Sequence, residues 1–360
     1  MTTGAGPFGV YVHIPFCAQR CDYCAFATWT DRSELAESYA AAVVTEISRA
    51  VAAGIPTATS VFFGGGTPSM LDDDLLMAIL DAVPTSADAE ITVECNPDTI
   101  TVDKLRHYRR GGVNRLSFGV QSMVAHVLQS LGRTHDPDNV RSAVEAARTA
   151  GFERYNLDLI YGAVGESMDD WTGSVRAALA LEPTHISAYG LTVEAGTPLA
   201  DDASRHPDDD DQADKYVVAD ELLAQAGLPW YEISNFARPG HECRHNLLYW
   251  SQGDYRGFGC AAHSHQQGRR WWNLRTPERY IDAVRSASSA EGGHELLADD
   301  VRRVEGLQLA LRTRDGVPSD ALAEALRDPN FDGLMEVSAG SARLTVPGRL
   351  LANEVALRLG

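Results

Sequence analysis

The sequence predicts an α/β protein: a partial, TIM-type (β/α)6 barrel followed by a helical, winged-helix-like module. Three observations carry this. Six short β-rich runs recur within the first 190 residues, each closed by a polar or glycine-rich cluster. Helix-like stretches separate them, and alternating strand–helix units imply a parallel sheet whose right-handed crossovers can curl it. After about residue 200 the alternation stops. The expected organisation is a barrel over 1–230, a connecting segment over 231–290 and a C-terminal module over 291–360.

Each element follows from its residues. The strand candidates are "GVYVHI" (9–14), "TSVFF" (59–63), "EITVE" (90–94), "NRLSFG" (114–119), "RYNLDLI" (154–160) and "THISAYG" (184–190). β-Branched and aromatic residues dominate them. The first helix candidate, "SELAESYAAAVVTEISRAVAAG", carries a capping signal at Ser33 and stops at Gly54. "TVDKLRHYRRGG", "DNVRSAVEAARTAG" and "DWTGSVRAALALEP" end at Gly or Pro in the same way. "DDASRHPDDDD" reads as a solvated acidic linker, and 212–227 as a helix. From about 290 two helices are expected, then two short strands around "SAGS" and a terminal helix.

Composition excludes some functions. Lys and Arg number 31 against 50 Asp and Glu, a net charge of −19. So acidic a chain argues against nucleic acid as a partner. No apolar run reaches the eighteen residues of a membrane helix. The first residues lack a charged and an apolar signal region, so a cytoplasmic protein is expected. The charge is uneven, however. Residues 238–275 hold six arginines against Glu242 and Asp254, about +4 locally, among six aromatic side chains. Either the arginines pair with acidic neighbours, or the segment forms a pocket for a flat anionic ligand.

The chemistry starts at "YVHIPFCAQRCDYCAF" (11–26), where Cys17, Cys21 and Cys24 fall within eight positions. Structural zinc takes four ligands, and a fourth here would come from His13 or from far away. Three thiolates of an iron–sulfur cube leave one iron open, which is useful only if something else binds it. "FFGGGTPS" (62–69) puts three glycines just past the second strand, where backbone can approach a ligand closely. Glu94, Gln121 and Asp158 fall at or near the ends of the third, fourth and fifth strands. In βα barrels ligand groups gather at that end.

C-x3-C-x2-C after a first strand resembles the radical S-adenosylmethionine (SAM) superfamily. The flanking "YVHIPFC" and "CDYCAF" resemble the oxygen-independent coproporphyrinogen III oxidase family and its heme chaperone branch. The resemblance runs from about residue 9 to the C-terminus. It implies a [4Fe–4S] cluster on Cys17, Cys21 and Cys24 whose open iron binds SAM. It implies that Gly65, Gly66 and Thr67 line the SAM site, that Tyr11 and Glu94 contact SAM, and that Tyr23 packs beside it. Gln121, Arg133 and Asp158 match positions that contact a second SAM in the oxidase. The oxidase carries a further cysteine two residues after the third. Phe26 stands there instead, and about eight residues precede the first strand. Both features match the chaperone branch and argue against coproporphyrinogen III dehydrogenation, the rival activity in porphyrin biosynthesis.

"ECRHNLLYW" (242–250) matches the H-N-x-x-Y-W signature of that branch through His245, Asn246, Tyr249 and Trp250. A neutral imidazole is a common axial ligand of heme iron. Arginines can hold propionates. His245 is the expected ligand, with Cys243, His263 and His265 as rivals, whereas Cys95 and Cys260 read as small core residues. The resemblance thus implies heme as cargo and apo-hemoproteins of the respiratory chain, membrane-bound ones included, as clients. Heme-driven dimerisation is left open by the residues.

Overall fold

The computed structural model describes residues 6–359. Six parallel strands follow chain order side by side: β1 (Phe8–Ile14), β2 (Ala58–Gly65), β3 (Thr85–Cys95), β4 (Arg115–Gln121), β5 (Tyr155–Tyr161) and β6 (His185–Gly190). All six β-rich runs of the sequence are therefore strands. Helices α1 (Ala36–Ala52), α2 (Asp73–Asp81), α3 (Val102–Arg110), α4 (Ala125–Ser130), α5 (Pro137–Thr149) and α6 (Met168–Leu179) lie in the crossovers.

The strands alternate strictly. Val10, Val12 and Ile14, then Val61 and Phe63, then Leu116 and Phe118 are fully buried in one apolar core with the helices. The opposite face is polar: Tyr11 and His13, Ser60, Glu90 and Glu94, Arg115 and Ser117, Asn156 and Asp158, His185 and Ser187. A parallel sheet with helices on one face only can keep such a row where it encloses a ligand cavity. Short polar side chains start most of the helices. Asp72, Thr101, Asp136 and Ser167 each accept a backbone N–H, and Ser167 forms a capping box with Asp170. Ser33 does not cap α1, contrary to the sequence reading. It opens a 3-10 turn, and no side chain caps the helix that follows.

The sheet continues beyond the six strands. α7 (Asp209–Gln225) leads to β7 (Trp230–Glu232) and β8 (Asn235–Ala237), which run antiparallel beside β6. After α8 (Arg244–Trp250), β9 (Asp254–Phe258) returns to pair in parallel with β1 on the opposite edge. β10 (His263–Gln266), β11 (Arg269–Asn273) and, after α9 (Pro277–Arg285), β12 (Glu291–Leu296) complete twelve strands. None of these six outer strands was expected. The acidic linker is also partly helical, because Asp208 caps α7 through the Asp211 N–H and Asp211 pairs with buried Lys215.

The C-terminal module has its own core of Leu311, Val317, Leu322, Phe331, Leu344 and Val355. It comprises α10 (Asp299–Ala310), the three-stranded sheet of β13 (Val317–Pro318), β14 (Met335–Ser338) and β15 (Ser341–Leu344), and the short helices α11 (Val346–Leu350) and α12 (Ala352–Arg358). The second helix expected after 290 is instead a series of 3-10 turns between Ser319 and Phe331. Arg349 ties the module to α7, with two 2.8 Å bonds to Asp220, and packs over the Trp230 ring at 4.3 Å.

Candidate functional site

A cavity of about 540 Å³ opens at the C-terminal ends of β1–β6. The loop between β1 and α1 forms its rim and carries Cys17, Cys21 and Cys24, all free and half-buried. Backbone bonds fix the loop's base: the Cys17 N–H donates to Trp29 O at 3.0 Å and the Trp29 N–H to Pro15 O at 2.8 Å. Its tip is tied from afar, with Arg205 donating to Asp22 Oδ2 at 2.7 Å. Burial pushes the Cys17 and Cys24 thiols up. Among the described residues no three His, Cys, Asp or Glu side chains converge on one point as a single ion demands. The thiols instead border a space large enough for a group that bridges them. Three sulfur donors at such a rim fit an iron–sulfur cluster.

The floor is polar and largely buried. The Gly65 N–H donates to Glu94 Oε2 at 3.2 Å. Burial, and secondarily the Asp158 carboxylate, push Glu94 up to about 8. Asp158 is also raised by burial, though Ser117 and Asn156 donate to it at 2.9 and 2.7 Å. Gln121 sits at a bulge between β4 and β5 with φ of 63°, a left-handed conformation uncommon outside glycine. Arg133 donates to Gly119 O at 3.1 Å and lies 3.3 Å from Cys21 Sγ.

Tyr23, Gly65, Gly66, Thr67, Glu94, Gln121, Arg133 and Asp158 thus share one cavity with the three cysteines. Tyr11 does not line it. Its hydroxyl pairs with His13 Nδ1 at 3.1 Å, and its ring faces a second cavity. Residues unnoticed in the sequence also line the first: Asn96, Tyr189 and Glu194. The place of Asn96 and Tyr189 just past β3 and in β6 was the available signal.

The second cavity, about 600 Å³, lies between the cysteine loop, α8 and β9–β11. Ala25 and Phe26 border both cavities, and Phe26 is 65% exposed. The H-N-x-x-Y-W segment is α8, packed against β1 and β2. Gly9 admits it, since a Cβ there would meet Leu248 at 2.6 Å. Only Tyr249 of the segment's four signature residues lines the cavity. His245 is 1% exposed and lies behind it. Its Nδ1 pairs with Ser60 Oγ at 2.9 Å, its Nε2 with the Tyr249 hydroxyl at 2.8 Å, and its ring stacks on Phe62. Burial, then Arg115, hold this imidazole down at about 3. The expectation that His245 presents a free nitrogen to a heme iron is therefore not met in this arrangement. Asn246 and Trp250 also lie outside the cavity, with Arg312 over the Trp250 ring. Cys243 is wholly buried beside Glu90.

The arginines divide. Arg269 pairs with Glu291, Arg270 with Glu295 and Glu305, and Arg256 packs on the Trp271 ring. Arg275 is exposed and lines the cavity.

Cysteine loop, glycine turn and six-stranded parallel core together define a radical SAM protein, and the Radical SAM superfamily model matches residues 11–178. The solved coproporphyrinogen III oxidase HemN of Escherichia coli shares the fold, with a TM-score of 0.85 over 98% of this chain and 90% of that one at 24% identity. Closer in sequence are heme chaperones HemW. That of Mycobacterium tuberculosis is 40% identical over 97% of this chain and 94% of its own length. That of Escherichia coli is 34% identical over 97% of both, and that of Bacillus subtilis 35% over 96% and 97%. The chain belongs to the heme chaperone HemW family.

Proposed function

We propose that this protein binds heme and delivers it to apo-hemoproteins, including membrane-bound respiratory enzymes. The observation that carries the reading is the similarity to heme chaperones along nearly the whole chain. Cys17, Cys21 and Cys24 would hold a [4Fe–4S] cluster through their three thiolates. Gly65, Gly66, Thr67 and Glu94 would position SAM against it and Tyr23 would pack beside it, while Gln121, Arg133 and Asp158, which share the cavity, match positions that contact a second SAM in the oxidase. A reduced cluster of this kind supplies an electron for SAM cleavage. The chain's own share is to bind and orient. Gly65 and Gly66 line the space with backbone, and Glu94, whose carboxyl burial pushes up to about 8, can donate or accept there. No helix among the described residues is long and apolar enough to cross a membrane.

Phe26 supports the chaperone reading over dehydrogenation, because it stands where the oxidase pattern carries a further cysteine. The test is heme titration of anaerobically reconstituted protein beside a coproporphyrinogen III turnover assay. Saturable heme binding without multiple turnover is expected. Sustained conversion to protoporphyrinogen would replace this reading with the dehydrogenase. Reconstitution should load about four irons per chain. Cys17→Ala, Cys21→Ala and Cys24→Ala should each abolish this, and Cys243→Ala should not.

A further inference from the structure

We infer that heme occupies the cavity between the cysteine loop, α8 and β9–β11, with the imidazole of His263 as its iron ligand; this rests on the heme-binding reading above. The histidines around the cavity narrow the choice. His13 pairs with Tyr11 and, through Nε2, with Ala27 O at 2.9 Å. His265 pairs with Gly253 O at 3.0 Å and accepts the Gly268 N–H at 3.2 Å. His245 is engaged at both nitrogens. His263 is exposed at the cavity, and its ring takes part in none of the hydrogen bonds among the described residues. Burial and the nearby Arg270 hold its pKa below the usual histidine range, which keeps the nitrogen lone pair that iron needs. The ring stacks on Trp272 at 5.8 Å and 30°, and this fixes its plane.

The rest of the cavity suits the macrocycle. Its volume of about 600 Å³ falls within the roughly 300–1,000 Å³ of cofactor sites. Tyr249 and Tyr255 meet edge to face at 4.6 Å as one aromatic wall, and Phe26 overhangs the other side. Arg275 supplies a guanidinium for a propionate. The neighbouring Arg270 is already paired with Glu305 and Glu295. In this assignment the H-N-x-x-Y-W helix shapes the wall, and His245 holds the Tyr249 hydroxyl in place.

The test is heme titration of the full chain, followed by its Soret band and by electron paramagnetic resonance. His263→Ala should shift the Soret band and weaken binding at least tenfold, with the secondary structure and iron–sulfur content unchanged. Added imidazole should restore the wild-type spectrum in His263→Gly. Arg275→Gln should weaken binding severalfold with the spectrum kept. If wild type binds heme and His263→Ala keeps both spectrum and affinity, the ligand assignment is overturned and the heme reading stands. If wild type binds no heme, that reading itself fails.

Discussion

A methyl group on Gly65 would stand 2.3 Å from Nδ1 of His13. Gly65 also holds φ at +110°, which side chains rarely adopt. The position is closed by the neighbouring strand and not by a ligand, and His13 Nε2 in turn holds Ala27 O of the cysteine loop. Gly65→Ala should therefore reduce cluster retention as well as SAM binding. Iron analysis and SAM calorimetry on the reconstituted variant check this. Full iron content with SAM binding alone lost would place the damage in the ligand space.

The loop's distant tie gives a second expectation. Arg205 donates to Asp22 Oδ2 and also to Ser130 O, both at 2.7 Å. Arg205→Ala should leave the fold intact and speed loss of the cluster to a chelator severalfold. Time courses of iron release from wild type and variant test it, and equal rates would deny the tie any role.

Glu94 makes stability depend on pH. Its folded pKa of about 8 lies above the roughly 4.3 of an unfolded glutamate. Between those values the folded state keeps a proton that the unfolded state gives up. The associated stability is full below about pH 4 and is lost as pH rises towards 8. Glu94→Gln removes the effect. Urea unfolding of the ligand-free protein should show wild type losing more stability than the variant as pH rises across this window, by up to roughly 1.4 kcal/mol per pH unit. Parallel pH profiles would refute the raised value.

Lys215 is wholly buried, 3.2 Å from Glu166 Oε2 and 2.7 Å from Asp211 Oδ2. Lys215→Met leaves the Glu166 carboxylate buried without its cation. Such a loss costs about 3–5 kcal/mol. Adding Glu166→Gln should recover much of it, which a double-mutant cycle of urea midpoints would measure. A variant as stable as wild type would mean that Glu166 is already neutral there.

The parallel core was legible because each of its strands buries an apolar row that alternates with polar residues, as in Val10, Tyr11 and Val12. That the cysteine loop and the glycine turn share one cavity was legible because each follows directly on one of two neighbouring strands. The outer strands were not. "DYRGF" and "RRWWN" are short and arginine-rich, and β9 finds its parallel partner in β1, at the far start of the chain. The burial of His245 was equally hidden: the motif supplies an imidazole, but Ser60 and Tyr249 decide where its nitrogens point. Arg205 looked like part of a solvated linker because Asp22 lies 183 residues away.

The pairing of Phe8 with Asp254 at the head of the β1–β9 ladder joins the two most separated parts of the barrel sheet. A ribosome adding about 5–20 residues per second makes β1 in its first seconds and β9 roughly 12–50 seconds later. For that interval the outer edge of β1 from Phe8 to Val12 has no neighbouring strand. The cysteine loop, which follows β1 directly, spends the same period without the wall that β9–β11 place behind the second cavity. Insertion of the proposed cluster before release from the ribosome would thus meet an unfinished barrel.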